Sequence, residues 1–335
     1  VSAAWSALAG QPPRELGRRA YRSAARRLVV LRWRAYVLAR RPRPSQLVAF
    51  GGGLGDHLLC SAVFHELRAR GRSGLWMLSS HRDLFRLSSD VDLVVPPDRF
   101  FVEWARSSGA RVTPVSYTTH IAAEDRDIPP ERHLIACLCA AAGISGPVAL
   151  RPYLALSDDE RASGRLAPRQ IAIQSSGMAA QYPMRNKEWF PERFQAVADA
   201  LAPHFQLIQI GAAADPPLAG TIDLRGRTTL RQSAAILSQS LAFVGQVGFL
   251  MHLARAVDCR SAIVYGGREL PEQSGYRCNA NLASAPACAP CWQWNTCAFD
   301  RQCMRAIEPA AVVAAVERLV ERHGQPLEVD TDTLP

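Results

Sequence analysis

The stretch Gln46-Leu47-Val48-Ala49-Phe50-Gly51-Gly52-Gly53-Leu54-Gly55-Asp56-His57 decides the fold. Residues 46–50 have strand character, 51–56 form a glycine-rich turn, and 57–70, closed by Gly71, carry a helical pattern. This order opens a βα unit. Glycines at such a turn let the backbone approach a ligand, and the free N–H groups of the helix start favour anions. A dinucleotide fingerprint is excluded, because Asp56 stands where G-x-G-x-x-G has its last glycine and no acid follows the next strand. A P-loop is excluded because no lysine follows. What remains is a carboxylate at the carboxyl end of the first strand, where open α/β sheets bind their ligands. The plainer reading of Asp56 is a helix N-cap.

Outward from this unit the alternation continues. Further strands fit 74–78, 91–95 and 111–116, with helices over 98–106 and 130–142, whereas 97–130 otherwise shows no assignable pattern. After a proline-bearing linker the alternation restarts, with strands at 170–174, 206–210, 241–245 and 261–265 and helices at 191–202, 229–239 and 249–257. Two Rossmann-like halves with parallel sheets are expected, over 45–150 and 170–325, joined by 151–169. A last helix over 309–323 precedes an acidic tail, 326–335, expected to be poorly ordered or draped across the domains.

Of the 335 residues, 48% are hydrophobic and 21% charged, a balance that excludes wholesale disorder. No apolar run reaches the roughly 18–20 residues of a spanning helix, since the best candidate, 28–39, is cut by Arg32 and Arg34. The net charge of +9 is unevenly placed. Residues 1–50 hold 11 arginines and one acid, Glu15, while 51–335 hold 28 basic and 29 acidic groups. Pro12 and Pro13 can open a helix that Pro42 and Pro44 end, so 1–44 reads as a basic amphipathic helix. In it Leu28, Leu31, Ala35 and Leu38 form one stripe beside Trp33 and Tyr36. That composition suits the interface of an anionic membrane; the alternative is a helix packed on its own domain through the leucine stripe. Nucleic-acid binding is not expected, because one helix supplies all the excess charge. No signal peptide is legible, and the expected address is cytoplasmic, peripheral on the inner face of the cytoplasmic membrane.

Of the 39 basic residues 38 are Arg, and the one Lys stands at 187. Arg and Lys differ where a compact ammonium must meet an oxyanion, so Lys187 is a candidate for chemistry; codon bias is the alternative.

Several boxes resemble one known family. Gly53-Leu54-Gly55-Asp56-His57-Leu58-Leu59 resembles the opening of glycosyltransferase family nine, the ADP-heptose:lipopolysaccharide heptosyltransferases. Asn186-Lys187-Glu188-Trp189-Phe190-Pro191 is similar to the family's Lys-x-Trp box, and Asp223-Leu224-Arg225-Gly226-Arg227-Thr228-Thr229-Leu230 to its Leu-x-Gly-x-Thr-x-Leu loop. Val244-Gly245, then His252-Leu253-Ala254 and Tyr265-Gly266-Gly267, resemble its Val-Gly-x-Asp-Ser-Gly-x-x-His-Leu-Ala segment and the glycine turn beyond.

The resemblance implies a GT-B fold whose first domain binds the acceptor and whose second binds a nucleotide-sugar, with ADP-heptose favoured. It implies inverting transfer without a catalytic metal to a hydroxyl of a glycan or glycoconjugate. Asp56 matches the catalytic base and Lys187 the donor-phosphate lysine. Gly248, Phe249 and His252 fall at the diphosphate, Thr228 and Arg227 at the base, and Asp215 at the ribose; a core histidine is the alternative for His252. Gly53, Gly55 and His57 fall on the acceptor loop. One departure stands out: Val247 occupies the place of the family's sugar-binding Asp, and no register recovers the carboxylate. Either the donor is not heptose, or sugar recognition has moved to Arg268 or Glu269, or activity is lost. The alternative function is a non-catalytic GT-B-like binding or scaffold protein.

Nine cysteines remain to be placed. Cys60, Cys137, Cys139, Cys259 and Cys278 are scattered and read as reduced thiols. Cys288, Cys291, Cys297 and Cys303 lie within one short segment and could close a structural zinc or iron site; two disulfides or four free thiols are the alternatives. The bacterial autotransporter heptosyltransferases carry a comparable, differently spaced cysteine finger that holds iron.

Overall fold

The computed structural model describes residues 13–335, with the backbone alone for 13–23 and for residue 26. Pro12, expected to help open the first helix, lies outside the described residues. Helix α1 (Pro13–Arg40) stops just before Pro42 and Pro44, whose rings cannot continue it.

The first domain follows with β1 (Gln46–Ala49), α2 (Leu54–Ala69), β2 (Leu75–Leu78), β3 (Leu93–Val95), α3 (Arg99–Ser107) and β4 (Arg111–Pro114). Its four strands are parallel in the order β3-β2-β1-β4. The unassigned stretch holds a short antiparallel hairpin, β5 (His120–Ile121) and β6 (Arg126–Asp127). Helix α4 (Leu134–Ala141) and β7 (Gly146–Ala149) complete the domain. The linker carries one helix, α5 (Asp158–Ser163), started by a Ser157/Glu160 capping box.

The second domain runs β8 (Gln170–Ile173), α6 (Pro191–Leu201), β9 (Gln206–Gln209), β10 (Ile222–Asp223), α7 (Leu230–Ser238), β11 (Phe243–Gln246), α8 (Phe249–Ala256) and β12 (Ser261–Gly266). It continues with α9 (Pro271–Ser274), β13 (Ala280–Ala283), α10 (Gln302–Arg305) and α11 (Pro309–Glu321). Its six parallel strands lie in the order β10-β9-β8-β11-β12-β13, the doubly wound arrangement. Each sheet therefore reverses its winding once, between β1 and β4 in the first domain and between β8 and β11 in the second. Ligands of such sheets bind outside the carboxyl strand ends at that reversal.

Apolar strands buried on both faces explain the parallel sheets: Ile171, Ala172 and Ile173 of β8 and Phe243 and Val244 of β11 are fully enclosed. One apolar cluster crosses from Leu58, Leu59 and Phe64 of α2 to Leu250 and Leu253 of α8, and so joins the domains. The tail is draped, not loose. Arg260 binds the Gln325 and Pro326 carbonyls on one domain, and β14 (Thr331–Leu334) then pairs antiparallel with β7 on the other.

Helix α1 corrects one expectation. It packs on its own domain, but not through the leucine stripe. The inward face is Val30, Trp33 and Val37, set against Leu47, Trp76 and Phe101, with Arg34 bonded to Asp98 at 2.7 Å. Spacings of three and four residues put these side chains opposite Leu28, Leu31 and Leu38. Among the described residues no helix is long and apolar enough to cross a membrane.

Candidate active site between two sheet reversals

The loop after β1 delivers Asp56. Gly53 is the residue that caps α2, and Asp56 stands three positions later with Oδ2 accepting the Gly53 N–H at 2.6 Å. Asp56 is thus the third helical residue, whose carboxylate reaches back to the N-cap N–H, and not the N-cap itself. Glycine is required beside it, since a Cβ on Gly52 would come within 2.2 Å of that oxygen. The other oxygen, Oδ1, accepts the Tyr117 hydroxyl at 2.6 Å. Tyr117 follows β4, so both edges of the first reversal meet on one carboxylate. Burial raises the Asp56 pKa, while the Tyr117 and Gly53 bonds and the Lys187 charge oppose the rise.

The second reversal delivers the cations. A 3-10 turn over Arg185–Lys187, after β8, carries Lys187, whose ammonium sits 2.6 Å from Glu269. Arg268 bonds the same Glu269 at 3.1 Å and reaches Asp127, on β6 of the first domain, at 2.6 Å. Burial pushes the Glu269 carboxyl up, but Lys187 and Arg268 outweigh it and hold the group below the usual range. Burial likewise lowers the Lys187 pKa against the pull of Glu269.

Across the cleft Gly55 faces the start of α8, where a Cβ would lie 3.5 Å from the Phe249 Cα and 3.8 Å from the His252 ring. Gly248 caps α8 without a side chain, which leaves its first N–H groups open toward the cleft. His252 is buried, pushed down to about 3 by that burial, and bonds the Tyr276 hydroxyl through Nδ1 at 2.7 Å.

The structure therefore gathers Asp56, Gly53, Gly55, Lys187, Phe249, His252, Arg268 and Glu269 around one cleft. His57 is buried against the His81 ring, with 5.1 Å between centroids, and among the described residues its Nδ1 has no partner. Asp215 is buried, accepts the Ala212 N–H at 3.0 Å, and is raised to about 6, first by burial and further by Glu188. Thr228 bonds Ser233 at 2.8 Å, and Arg227 is exposed. Val247, in the place the resemblance gives to the sugar-binding Asp, and Gln246 before it are both buried. Gln246 accepts the Trp189 N–H at 3.1 Å and donates to Glu188, and Val247 is packed in the core.

Sequence reasoning missed Tyr117 and Asp127, both in or next to the stretch with no periodicity. Their only signal is position, since residues after a strand's carboxyl end line such a cleft.

The cysteine segment lies behind the cations. Asn186 donates to the Thr296 carbonyl at 2.7 Å and accepts nothing through its side-chain oxygen, while its backbone N–H bonds the Trp294 carbonyl. Asp125 of the first domain accepts the Asn295 and Thr296 N–H groups at 2.8 and 2.7 Å. The segment thus braces the turn that carries Lys187. Cys288, Cys291, Cys297 and Cys303 line one cavity of about 600 Å³ together with Arg126, Arg268 and Arg301. Four thiols are a fitting donor set for zinc or iron. As placed they share the cavity without converging: among the described residues no three His, Cys, Asp or Glu side chains stand close enough to hold a metal ion. Cys60, Cys139, Cys259 and Cys278 are buried free thiols, and Cys137 is partly exposed.

ADP-heptose lipopolysaccharide heptosyltransferase II of E. coli superposes with a TM-score of 0.61 at 15% identity, over 83% of this chain and 99% of that one. The chain has the GT-B fold of the family nine heptosyltransferases. The glycosyltransferase family 9 protein of Veillonella parvula gives 0.58 at 13% identity, over 84% and 98% of the two chains. TibC of enterotoxigenic E. coli, described as an iron-containing dodecameric glycosyltransferase, gives 0.64 at 17% over 83% and 79%. TibC has also been solved in complex with ADP-D-beta-D-heptose. No family model matches the sequence, and no curated protein is similar to it at a significant level.

Proposed function

We propose that the chain is an inverting glycosyltransferase that moves a sugar, heptose or a relative, from a nucleoside-diphosphate donor to a hydroxyl of a glycan or glycoconjugate. The observation that carries this reading is the pairing across one cleft of a buried carboxylate, Asp56, with the chain's lone lysine. The heptosyltransferase fold and the ADP-heptose bound by TibC favour ADP-heptose as donor.

The family resemblance supplies the chemistry, and the geometry supports it. Asp56 takes the proton of the acceptor hydroxyl, whose oxygen attacks the anomeric carbon as the bond to the diphosphate breaks on the opposite face. Negative charge grows on the departing diphosphate. The Lys187 ammonium and the open N–H groups at the start of α8 stabilise it, without a divalent cation. Glu269 fixes the ammonium, and Arg268 ties that pair to Asp127, so the charges are set before donor arrives.

Turnover of a nucleotide-sugar panel by the wild type, Asp56→Ala and Lys187→Ala tests the reading. Loss of transfer in both variants supports it, and unchanged turnover and donor binding in both sink it. The neutral Gln246–Val247 pair favours one second reading, a non-catalytic binding protein with a degenerate donor site. That reading predicts binding without turnover in the wild type.

Tyr117 gives a pH test. Asp56 must be ionised to accept a proton, so activity falls as pH drops through its raised pKa. The Tyr117 bond stabilises the ionised form, and Tyr117→Phe is expected to move the acid limb of kcat/KM to higher pH. A limb that stays in place would show that the hydroxyl does not act on the base.

A structural metal belongs to the same reading, held by Cys288, Cys291, Cys297 and Cys303. Elemental analysis of the purified protein is expected to return equimolar zinc or iron, and chelation is expected to lower Tm. A metal-free protein with the same Tm removes this part of the proposal.

A further inference from the structure

Helix α1 has two unlike sides. Val30, Trp33 and Val37 are covered by the first domain. The opposite side carries Leu28, Leu31 and Leu38, which are 67%, 57% and 55% exposed, interleaved with exposed Ala24, Ala35 and Ala39. At 100° per residue these six side chains fall in one strip along the helix. Exposed Arg27 and Arg32 flank the strip on its two sides, and Tyr36 stands beside Arg32. Three large aliphatic side chains held in water by a helix that already has a packing face call for an occupant.

Charge decides which occupant. The first 50 residues carry 11 arginines against one acid, so a second copy of the chain would bring like charge to the same strip. A nucleic acid would satisfy the arginines and leave the leucines in water. An anionic lipid bilayer satisfies both at once: leucines enter the acyl boundary and arginines stay at the headgroups.

Position gives the strip a use. The chain leaves α1 at Arg40 and enters β1 at Gln46, so the helix runs back across the sheet from its amino toward its carboxyl edge. Trp33 already meets Arg82, 4.2 Å above its ring, in the loop that follows β2. Leu28 and Leu31 therefore lie at or beyond the carboxyl edge, the edge that presents Asp56. We propose that the outward strip of α1 docks the chain on an anionic membrane and sets the first domain's crevice at the bilayer surface.

The test is flotation of the full chain with vesicles of equal parts phosphatidylglycerol and phosphatidylcholine, against vesicles of phosphatidylcholine alone. Binding to the anionic vesicles is expected, weakening with salt, and at least tenfold weaker for Leu28→Ser/Leu31→Ser/Leu38→Ser. Because these side chains belong to no buried cluster among the described residues, the triple variant should keep the wild-type Tm and the thermal shift given by nucleotide-sugars. Equal vesicle binding by wild type and triple variant overturns the docking. So does a dimer that the triple variant dissolves, or duplex DNA affinity exceeding vesicle affinity and untouched by the leucine changes.

Discussion

Asp56→Asn is expected to lower kcat by roughly 10²–10⁴-fold, the usual contribution of a positioned general base. Asn keeps the shape, its oxygen can accept the Gly53 N–H and its amide N–H can donate to the Tyr117 oxygen, so the fold should survive. It cannot take a proton. Binding of donor should stay near the wild-type level, because the carboxylate lies on the acceptor side of the cleft, after β1, and contributes no charge that a diphosphate would seek. The signature is a loss in kcat with little change in donor affinity, read by steady-state kinetics and by titration of donor into both proteins.

Lys187→Ala is expected to act on the other half of the reaction. Removing one preorganised charge from a developing oxyanion costs about 10²–10³-fold in kcat. Donor affinity should fall as well, since the ammonium faces the diphosphate in both ground and transition states. Glu269 keeps Arg268 as a partner at 3.1 Å, so the variant should fold. Lys187→Arg is the sharper experiment. A chain with 38 arginines tolerates Arg wherever charge alone is needed. A guanidinium is planar and broad, and in a turn braced by Asn186 and Glu269 it cannot place a point charge where the ammonium sits. Lys187→Arg is therefore expected to fold and to show little activity. Near-full activity would mean that Lys187 survives by codon bias.

Much of the fold was legible in the sequence. The glycine turn after β1 and the apolar periods of two successive βα runs dictated parallel sheets, and parallel sheets dictate where ligands sit. Asp56 and Lys187 stood out by position and by rarity. The partners that set their charge did not. Tyr117, Asp127 and the β5–β6 hairpin lie in a segment without period; Tyr117 meets Asp56 inside the first domain, and Asp127 meets Arg268 only because the domains close on one another. The sequence offers Arg268 or Glu269 as one place to which sugar recognition has moved. The structure encloses both, at 1% exposure each, in the network that fixes Lys187. The leucine stripe of α1 was visible as a pattern, but a helical wheel cannot say which of two apolar faces the domain covers. Packing chose the face with Trp33, whose ring fits between Arg82 and the sheet, and left the leucines outside.

The cysteine segment shows a similar division. Its four thiols were visible as a cluster, whereas its contact with Asp125, Asn186 and the Lys187 turn depends on the closure of both domains. Rigidity there acts on the turn that carries Lys187.

The central claim is that the cleft between the two sheet reversals holds a nucleoside-diphosphate sugar against Lys187. Calorimetric titration of ADP-heptose and other nucleotide-sugars into wild type and Lys187→Ala tests it most directly. The account predicts saturable one-site binding of a nucleotide-sugar, competed by its nucleoside diphosphate and weakened at least tenfold in Lys187→Ala. Absence of nucleotide-sugar binding, or equal affinity in the two proteins, would contradict it.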